Sequence, residues 1–202
     1  MPRTATQNEA MRAATRSAIE TAGVRVFARH GFAAANIRQI ADEAGISVGS
    51  VYRHYASKED LFDELLEQAS TGLSAAATQL SSGGDPSDLI GGFTEVYLSD
   101  LAGEDGAAEF FMVINQGFTT DAPAGTARRL AVTQQTLWKA FAALVRRGQV
   151  EGRFVGGDPD RMTAYYFALL SGITTMRHAL NDELAEPDVD LILRILTGGA
   201  ER

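Results

Sequence analysis

Between Asn36 and Tyr55 the chain reads Asn-Ile-Arg-Gln-Ile-Ala-Asp-Glu-Ala-Gly-Ile-Ser-Val-Gly-Ser-Val-Tyr-Arg-His-Tyr, a run that admits few folds. Asn36 can accept a hydrogen bond from a first-turn amide while Gln39, three residues on, bonds back to the Asn36 amide. This predicts a helix starting at Ile37. Ile37, Ile40, Ala41 and Ala44 then fall at i, i+3, i+4 and i+7 and make one apolar stripe, with Arg38, Gln39, Asp42 and Glu43 outward. Gly45 stands where a left-handed residue closes a helix without a Cβ clash, and Ile46 can tuck back under the turn. Ser47 is a good N-cap, so a second helix follows at once. Two short helices joined through such a turn have the spacing of a helix-turn-helix, whose second helix enters the major groove of a duplex.

That second helix is expected over Val48–Tyr55, with Val51 and Tyr55, four apart, facing inward. Val48, Gly49, Ser50, Tyr52, Arg53 and His54 are left for the other side. A glycine inside a helix costs about 1 kcal/mol relative to alanine, so Gly49 implies that a side chain there would meet something. Ser50 and Tyr52 bring hydroxyls, His54 an imidazole, and Arg53 a planar fork suited to guanine or phosphate. Ser57 caps the next helix and Lys58 lies in its first turn, where a lysine and the positive helix end together favour a phosphate.

From Gly31-Phe32 at the end of a long first helix through Lys58-Glu59-Asp60-Leu61, the chain resembles the TetR family of bacterial transcriptional regulators, without a gap over roughly residues 12 to 65. The resemblance implies that Asn36, Tyr52, His54 and Lys58 clamp phosphates and that Val48, Gly49 and Ser50 touch bases, with Arg38 and Arg53 as additional contacts. Two residues depart from the family pattern. Ala35 stands where threonine is common, which removes a potential phosphate contact. Val48 stands where lysine is common, which substitutes an apolar group able to meet a thymine methyl. The operator sequence therefore does not carry over. The resemblance also implies a repressor that pairs into a dimer through a four-helix bundle.

Charge is distributed accordingly. The 202 residues carry a formal net charge of −8, which by itself argues against a nucleic-acid partner. Residues 1–58, however, hold eight basic and four acidic side chains, whereas residues 59–202 hold ten and 22. Only the first segment suits DNA, and Arg3, Arg12 and Arg16 offer a basic arm there, or simply a solvated terminus. The expected division is a head over residues 1–58 and a body over residues 59–202.

Helical periodicity runs nearly throughout, with no internal repeat and almost no strand signal. The first helix is expected from about Glu9 to His30, covering the helix-turn-helix with Ala18, Ala22, Val26 or Phe27 and His30, and stopped by Gly31. A fourth runs from Ser57 to about Leu80 and links head to body; Ser81 to Pro86 forms the clearest loop. Later helices are expected at about 86–102, 106–118, 124–149, 158–181 and 187–198. On the last two, Met162, Leu169, Leu170, Ile173 and Met176, with Val189, Ile192, Leu193 and Leu196, form the expected dimer interface. A two-fold dimer sets two recognition helices about 34–36 Å apart, one turn of a palindromic duplex site.

A ligand pocket is expected in the body. Phe111, Asn115 and Phe118 place one amide between two rings on one helix face, and Phe93, Tyr97, Trp138, Phe141, Tyr165 and Tyr166 supply further walls. Ordinary core packing is the alternative for each aromatic. Asn115 and Gln116 need partners if buried, and Gly117 marks a helix end or a close approach.

Catalysis finds little support. His30, His54 and His178 lack metal-ligand spacing, the pairs Glu104-Asp105 and Asp182-Glu183 lie near expected helix ends, and there is no phosphate loop or nucleophile elbow. With no cysteine there is neither a disulfide nor a thiolate site, and no cofactor is expected. No stretch reaches the ~20 apolar residues of a membrane span and no signal peptide is evident, so a cytoplasmic location is expected. The expectation is an all-α, non-enzymatic regulator. Its amino-terminal three-helix domain binds double-stranded operator DNA, and its carboxyl-terminal helical domain binds a small apolar effector and forms a homodimer. The competing possibility is a helical ligand-binding or adaptor protein without sequence-specific DNA binding.

Overall fold

The computed structural model describes residues 5–103, 107–180 and 185–198, and among these every regular element is a helix. They are α1 (Ala5–Ala34), α2 (Ile37–Glu43), α3 (Val48–Tyr52), α4 (Lys58–Leu80), α5 (Pro86–Ala102), α6 (Ala107–Thr120), α7 (Thr126–Val150), α8 (Pro159–Leu180) and α9 (Val189–Thr197). Arg3, the Phe118 side chain and the pairs Glu104-Asp105 and Asp182-Glu183 lie outside the described residues.

Local chemistry sets the helix ends. Asn36 and Gln39 exchange side-chain to backbone hydrogen bonds of 3.0 Å in both directions, so α2 carries the expected capping box. Ser47 Oγ accepts from the Ser50 amide at 3.2 Å and Ser57 Oγ from the Asp60 amide at 3.0 Å, starting α3 and α4. Gly45 has φ 66° between α2 and α3, and Gly31 has φ 71° and ψ 162°, so α1 breaks at Gly31 and resumes for one turn to Ala34. The recognition helix is shorter than expected. Although the His54 and Tyr55 amides still bond to the Val51 carbonyl, Ser57 needs extended dihedrals to start α4, and regular helix gives out after Tyr52.

Two apolar cores form. In the first, Ile19, Ala22, Val26 and Phe27 of α1 cover Ile40 and Val51, and Phe27, Phe32 and Phe62 cluster with ring centroids 4.9–5.8 Å apart. Ala18 and His30, expected in this stripe, are exposed, because the inward face of α1 is set one residue further along, at Ile19. In the second core, Leu80, Ile90, Phe141, Tyr166, Leu170 and Leu196 are sealed from solvent. Tyr166 keeps its hydroxyl satisfied there by Thr94 Oγ1 at 2.8 Å.

The cores are joined by more than α4. Leu61, Phe62, Leu65, Leu66 and Ala69 belong to the first core and Ala77 and Leu80 to the second, so α4 spans both. Val113 and Ile114 of α6 and Leu130 of α7 also enter the first core, and Gln116 Nε2 donates to the Ala28 carbonyl at 3.1 Å. Gly117 marks a close approach and not a helix end: a Cβ there would lie 2.6 Å from Leu130 Cδ1 and 3.2 Å from Thr126 Cγ2. The head thus rests on α6 as well as hanging from α4.

The expected dimer face needs correction. Met162, Leu170, Ile192 and Leu196 are buried within the protomer, and Ile173, Val189 and Leu193 pack against the same core. The amphipathic face of α9 closes its own protomer's core, with Ile192 and Leu196 buried and Val189 and Leu193 partly exposed. Of the expected set, Leu169 and Met176 remain on the outer face of α8, joined there by Tyr165 and Leu180.

Candidate nucleic-acid interface and body cavity

Five residues foreseen at a DNA contact line a single open depression: Asn36, Arg38, Val48, Tyr52 and Lys58. Ala35, Ser57 and Glu59 complete much of its wall, and its volume is about 570 Å³. It lies where the starts of α2 and α4 meet the flank of α3. Gly49 and Arg53 are exposed elsewhere on the α3 segment, while Ser50 and His54 are half-buried. Val51 and Tyr55 face inward, as their spacing predicts. A Cβ added to Gly49 would have Ser47 Oγ, 4.0 Å away, as its nearest neighbour, so nothing within the chain requires glycine there.

Ser50 and Arg53 form a pair that sequence spacing alone left implicit. Arg53 Nη2 donates to Ser50 Oγ at 2.7 Å, and Ser50 Oγ lies 3.0 Å from Ser47 Oγ. The i, i+3 separation was the available signal. The two side chains therefore form one hydrogen-bonded unit.

Lys58 differs from expectation. Its Nζ donates to the carbonyls of Phe32 and Ala35, both at 2.9 Å, and of Ala33 at 3.2 Å, and lies 4.6 Å from the Phe32 ring centroid. An ammonium has three donors, and all three are engaged. Lys58 satisfies the terminal carbonyls of α1 and ties that end to the start of α4; in this arrangement it is not free to clamp a phosphate. Arg16 likewise is no mobile arm: it pairs with Glu20 at 2.8 Å and Glu64 at 2.6 Å. Arg29 pairs with Glu43 at 2.8 Å, and that hydrogen bond, larger than the opposing effect of burial, lowers the Glu43 pKa.

A polar junction sits behind the recognition segment. Tyr55 Oη donates to Glu20 Oε1 at 2.5 Å, Arg16 Nε donates to the same oxygen at 2.8 Å, and Gln68 Nε2 donates to Glu20 Oε2 at 3.1 Å. Burial pushes the Glu20 pKa up, but the bonds from Tyr55, Arg16 and Gln68 together outweigh it and hold the carboxyl below its ordinary value. Burial first, then the bond to Glu20, raises the pKa of Tyr55.

The body contains a cavity of about 850 Å³ between α4, α5, α6, α7 and α8. Phe93, Tyr97, Phe111, Asn115 and Trp138 line it, as expected. Tyr97 lies tilted by 30° against Phe111 with ring centroids 4.5 Å apart, and Trp138 stacks on Phe167 at 5.7 Å, giving two aromatic walls. The remaining candidates lie elsewhere. Phe141 and Tyr166 stack on each other at 4.5 Å in the second core, whereas Tyr165 is 60% exposed on the outer face of α8. One helical step separates the two tyrosines' directions by about 100°. Two further aromatics, Phe110 and Phe167, also line the cavity, and the small residues Gly72, Ala75 and Ala76 on α4 hold it open. That glycine-alanine run was its legible signal. Gln68 belongs to the lining as well, so the cavity wall and the Glu20 junction share a side chain.

Among the described residues no group of three His, Cys, Asp or Glu could hold a metal ion, and no helix is long and apolar enough to cross a membrane. Fold and site together define an all-α helix-turn-helix protein with a cavity-bearing helical body. Residues 19–65 match the family described as bacterial regulatory proteins, tetR family. Over those residues the chain is similar to the helix-turn-helix part of that family.

Its similarity to the HTH-type transcriptional repressor KstR2 of Mycobacterium tuberculosis is 56% identity over 41 residues, 20% of each chain. The chain thus spans about a fifth of that relative's length. Over the whole fold it is similar to the MbdR regulator from Azoarcus sp. CIB, with a TM-score of 0.75 and 17% identity, covering 93% of this chain and 100% of that one. It is similar also to the SmeT–triclosan complex, with a TM-score of 0.63, 20% identity and 93% of each chain covered.

Proposed function

We propose that this chain is a ligand-responsive transcriptional repressor that binds a palindromic operator as a homodimer and is released when a small apolar molecule enters the body cavity. The observation that carries this reading is the shared construction of head and cavity. α4 and α6 supply cavity walls through Gln68, Phe110, Phe111 and Ile114, and the same two helices pack into the core beneath the recognition helix. A repressor among the sequence relatives and a ligand-bound protein among the structural ones support it.

In this mechanism Asn36, Arg38 and Tyr52 contact phosphates around the depression, and Val48, Gly49 and the Ser50–Arg53 pair face base edges. His54 adds a polar contact at the carboxyl end of the segment. The outer face of α8, with Tyr165, Leu169, Met176 and Leu180, pairs the protomers. Ligand in the cavity favours a different placement of α4 and α6 and so changes the separation of the two heads. A complete switch between 99:1 and 1:99 populations takes about 5.5 kcal/mol of differential ligand affinity.

The test is operator selection from a random duplex library, followed by titration at several salt concentrations. Arg38→Ala should weaken every site and reduce the salt slope by about 1, whereas Ser50→Ala should change which site is preferred. Absence of any preferred duplex in the selection would support the adaptor reading instead.

A further inference from the structure

The cavity's charge inventory is lopsided. Its polar groups are mostly amides, Gln68, Gln79, Asn115, Gln134 and Gln135, together with Asp100, Ser171 and the Tyr97 hydroxyl. Among the described residues that line it there is no lysine, arginine or histidine. Tyr97 Oη is engaged with Thr174 Oγ1 at 2.6 Å, whereas Asn115, half-buried in the lining one helical turn after Phe111, is an amide able both to donate and to accept.

We propose that the effector is an uncharged, ring-bearing molecule with a carbonyl, amide or hydroxyl group for Asn115, and that the cavity rejects carboxylates, phosphates and acyl thioesters of nucleotide carriers. This rests on the cavity being the effector site. An anion drawn from water into an apolar chamber loses its hydration and here gains no cation in return; Asp100 repels it. Residues 59–202 hold ten basic and 22 acidic side chains, so the long-range field of the body opposes an anion before it arrives. A neutral ring system meets none of these penalties. It can lie against the Tyr97–Phe111 and Trp138–Phe167 walls, in a volume within the range usual for drug-sized ligands. The alanines and glycine of α4, with Ala131, Ala164 and Ala168, leave the space for it.

Trp138 is the single tryptophan and lines the cavity, so its fluorescence reports occupancy directly. The experiment compares a pyrene carboxamide with the matching pyrene carboxylate on the full chain, by Trp138 quenching and calorimetry. The carboxamide is expected to bind at least about tenfold more tightly, given the cost of an uncompensated buried charge. Gln134→Lys, which places a cation in the lining, should narrow or invert that ratio, while Asn115→Leu should weaken the carboxamide alone. Equal or tighter binding of the carboxylate by the unmodified chain overturns the charge assignment and leaves the regulator reading standing. Binding of the carboxamide without any change in operator affinity sinks the regulator reading and leaves the charge assignment intact. Silence from both probes overturns both.

Discussion

Gln68 Nε2 donates to Glu20 Oε2 at 3.1 Å, so a side chain in the cavity wall holds the carboxylate that anchors Tyr55 behind the recognition helix. The bond runs from α4 to α1, 48 residues apart, and places the cavity wall two hydrogen bonds from Tyr55, which follows α3. A ligand that draws the Gln68 amide into the cavity removes one of Glu20's donors. Gln68→Leu should therefore retain Trp138 quenching by the neutral probe while its operator affinity responds less to that probe than wild type. An undiminished response would place the coupling in α6 instead.

The same junction gives a pH signature. Glu20 has a folded pKa below its unfolded value of about 4.3. Its contribution to stability is complete above that value and disappears as pH falls through the depressed folded pKa. Urea midpoints of wild type and Glu20→Gln should differ most near neutral pH and converge in acid. A gap independent of pH would mean that the carboxylate charge contributes nothing.

Lys58→Ala should act first on stability. Three carbonyls at the end of α1 lose their donor, and a group left unsatisfied costs about 1–3 kcal/mol where it is shielded from water. Thermal unfolding should drop by several degrees, and operator affinity should fall at all sequences because the start of α4 is displaced. Arg38→Ala, at the exposed rim of the depression, should leave the melting temperature unchanged and weaken DNA binding. Unchanged stability in Lys58→Ala with a loss of DNA affinity would return Lys58 to the phosphate contacts.

Helix order and most boundaries were legible because each rests on short-range chemistry: the Asn36–Gln39 exchange, the Ser47 and Ser57 caps, the glycine at φ 66°. Direction was harder wherever a helix has two apolar faces. In α8, Tyr165 and Tyr166 are equally aromatic in sequence, yet one faces solvent and the other fills the second core beside Phe141. Periodicity defines a stripe but not its partner, so Ile192 and Leu196 read as an interface while they close their own protomer. The carbonyl partners of Lys58 are hidden in sequence for a related reason, since they lie 23 to 26 residues away and only the tertiary fold brings them near.

Gly117→Ala sets two effects against each other. Alanine gains about 1 kcal/mol of helix propensity over glycine. Its methyl, however, would sit 2.6 Å from Leu130 Cδ1 and 3.2 Å from Thr126 Cγ2, and both of those residues are buried. Overpacking costs about 1–3 kcal/mol, so net destabilisation is expected, measurable as a lower urea midpoint with an unchanged slope. A stabilised variant would show that α6 and α7 can move apart freely at this crossing.

Tyr165, Leu169, Met176 and Leu180 recur at intervals of four, seven and four along α8 and share its outer face. In a two-fold pair each appears twice, so one Met176→Glu substitution places two like charges in the contact without touching the protomer's core. Desolvating an unpaired charge costs several kcal/mol, enough to convert dimer to monomer at micromolar concentration. Light scattering should then report half the mass, the melting temperature should fall only by the lost association energy, and operator affinity should drop because a single head reads only one half-site. Leu191→Glu, on the exposed side of α9, tests how far the contact extends from α8. An intact dimer from both variants would move the interface away from this end of the body.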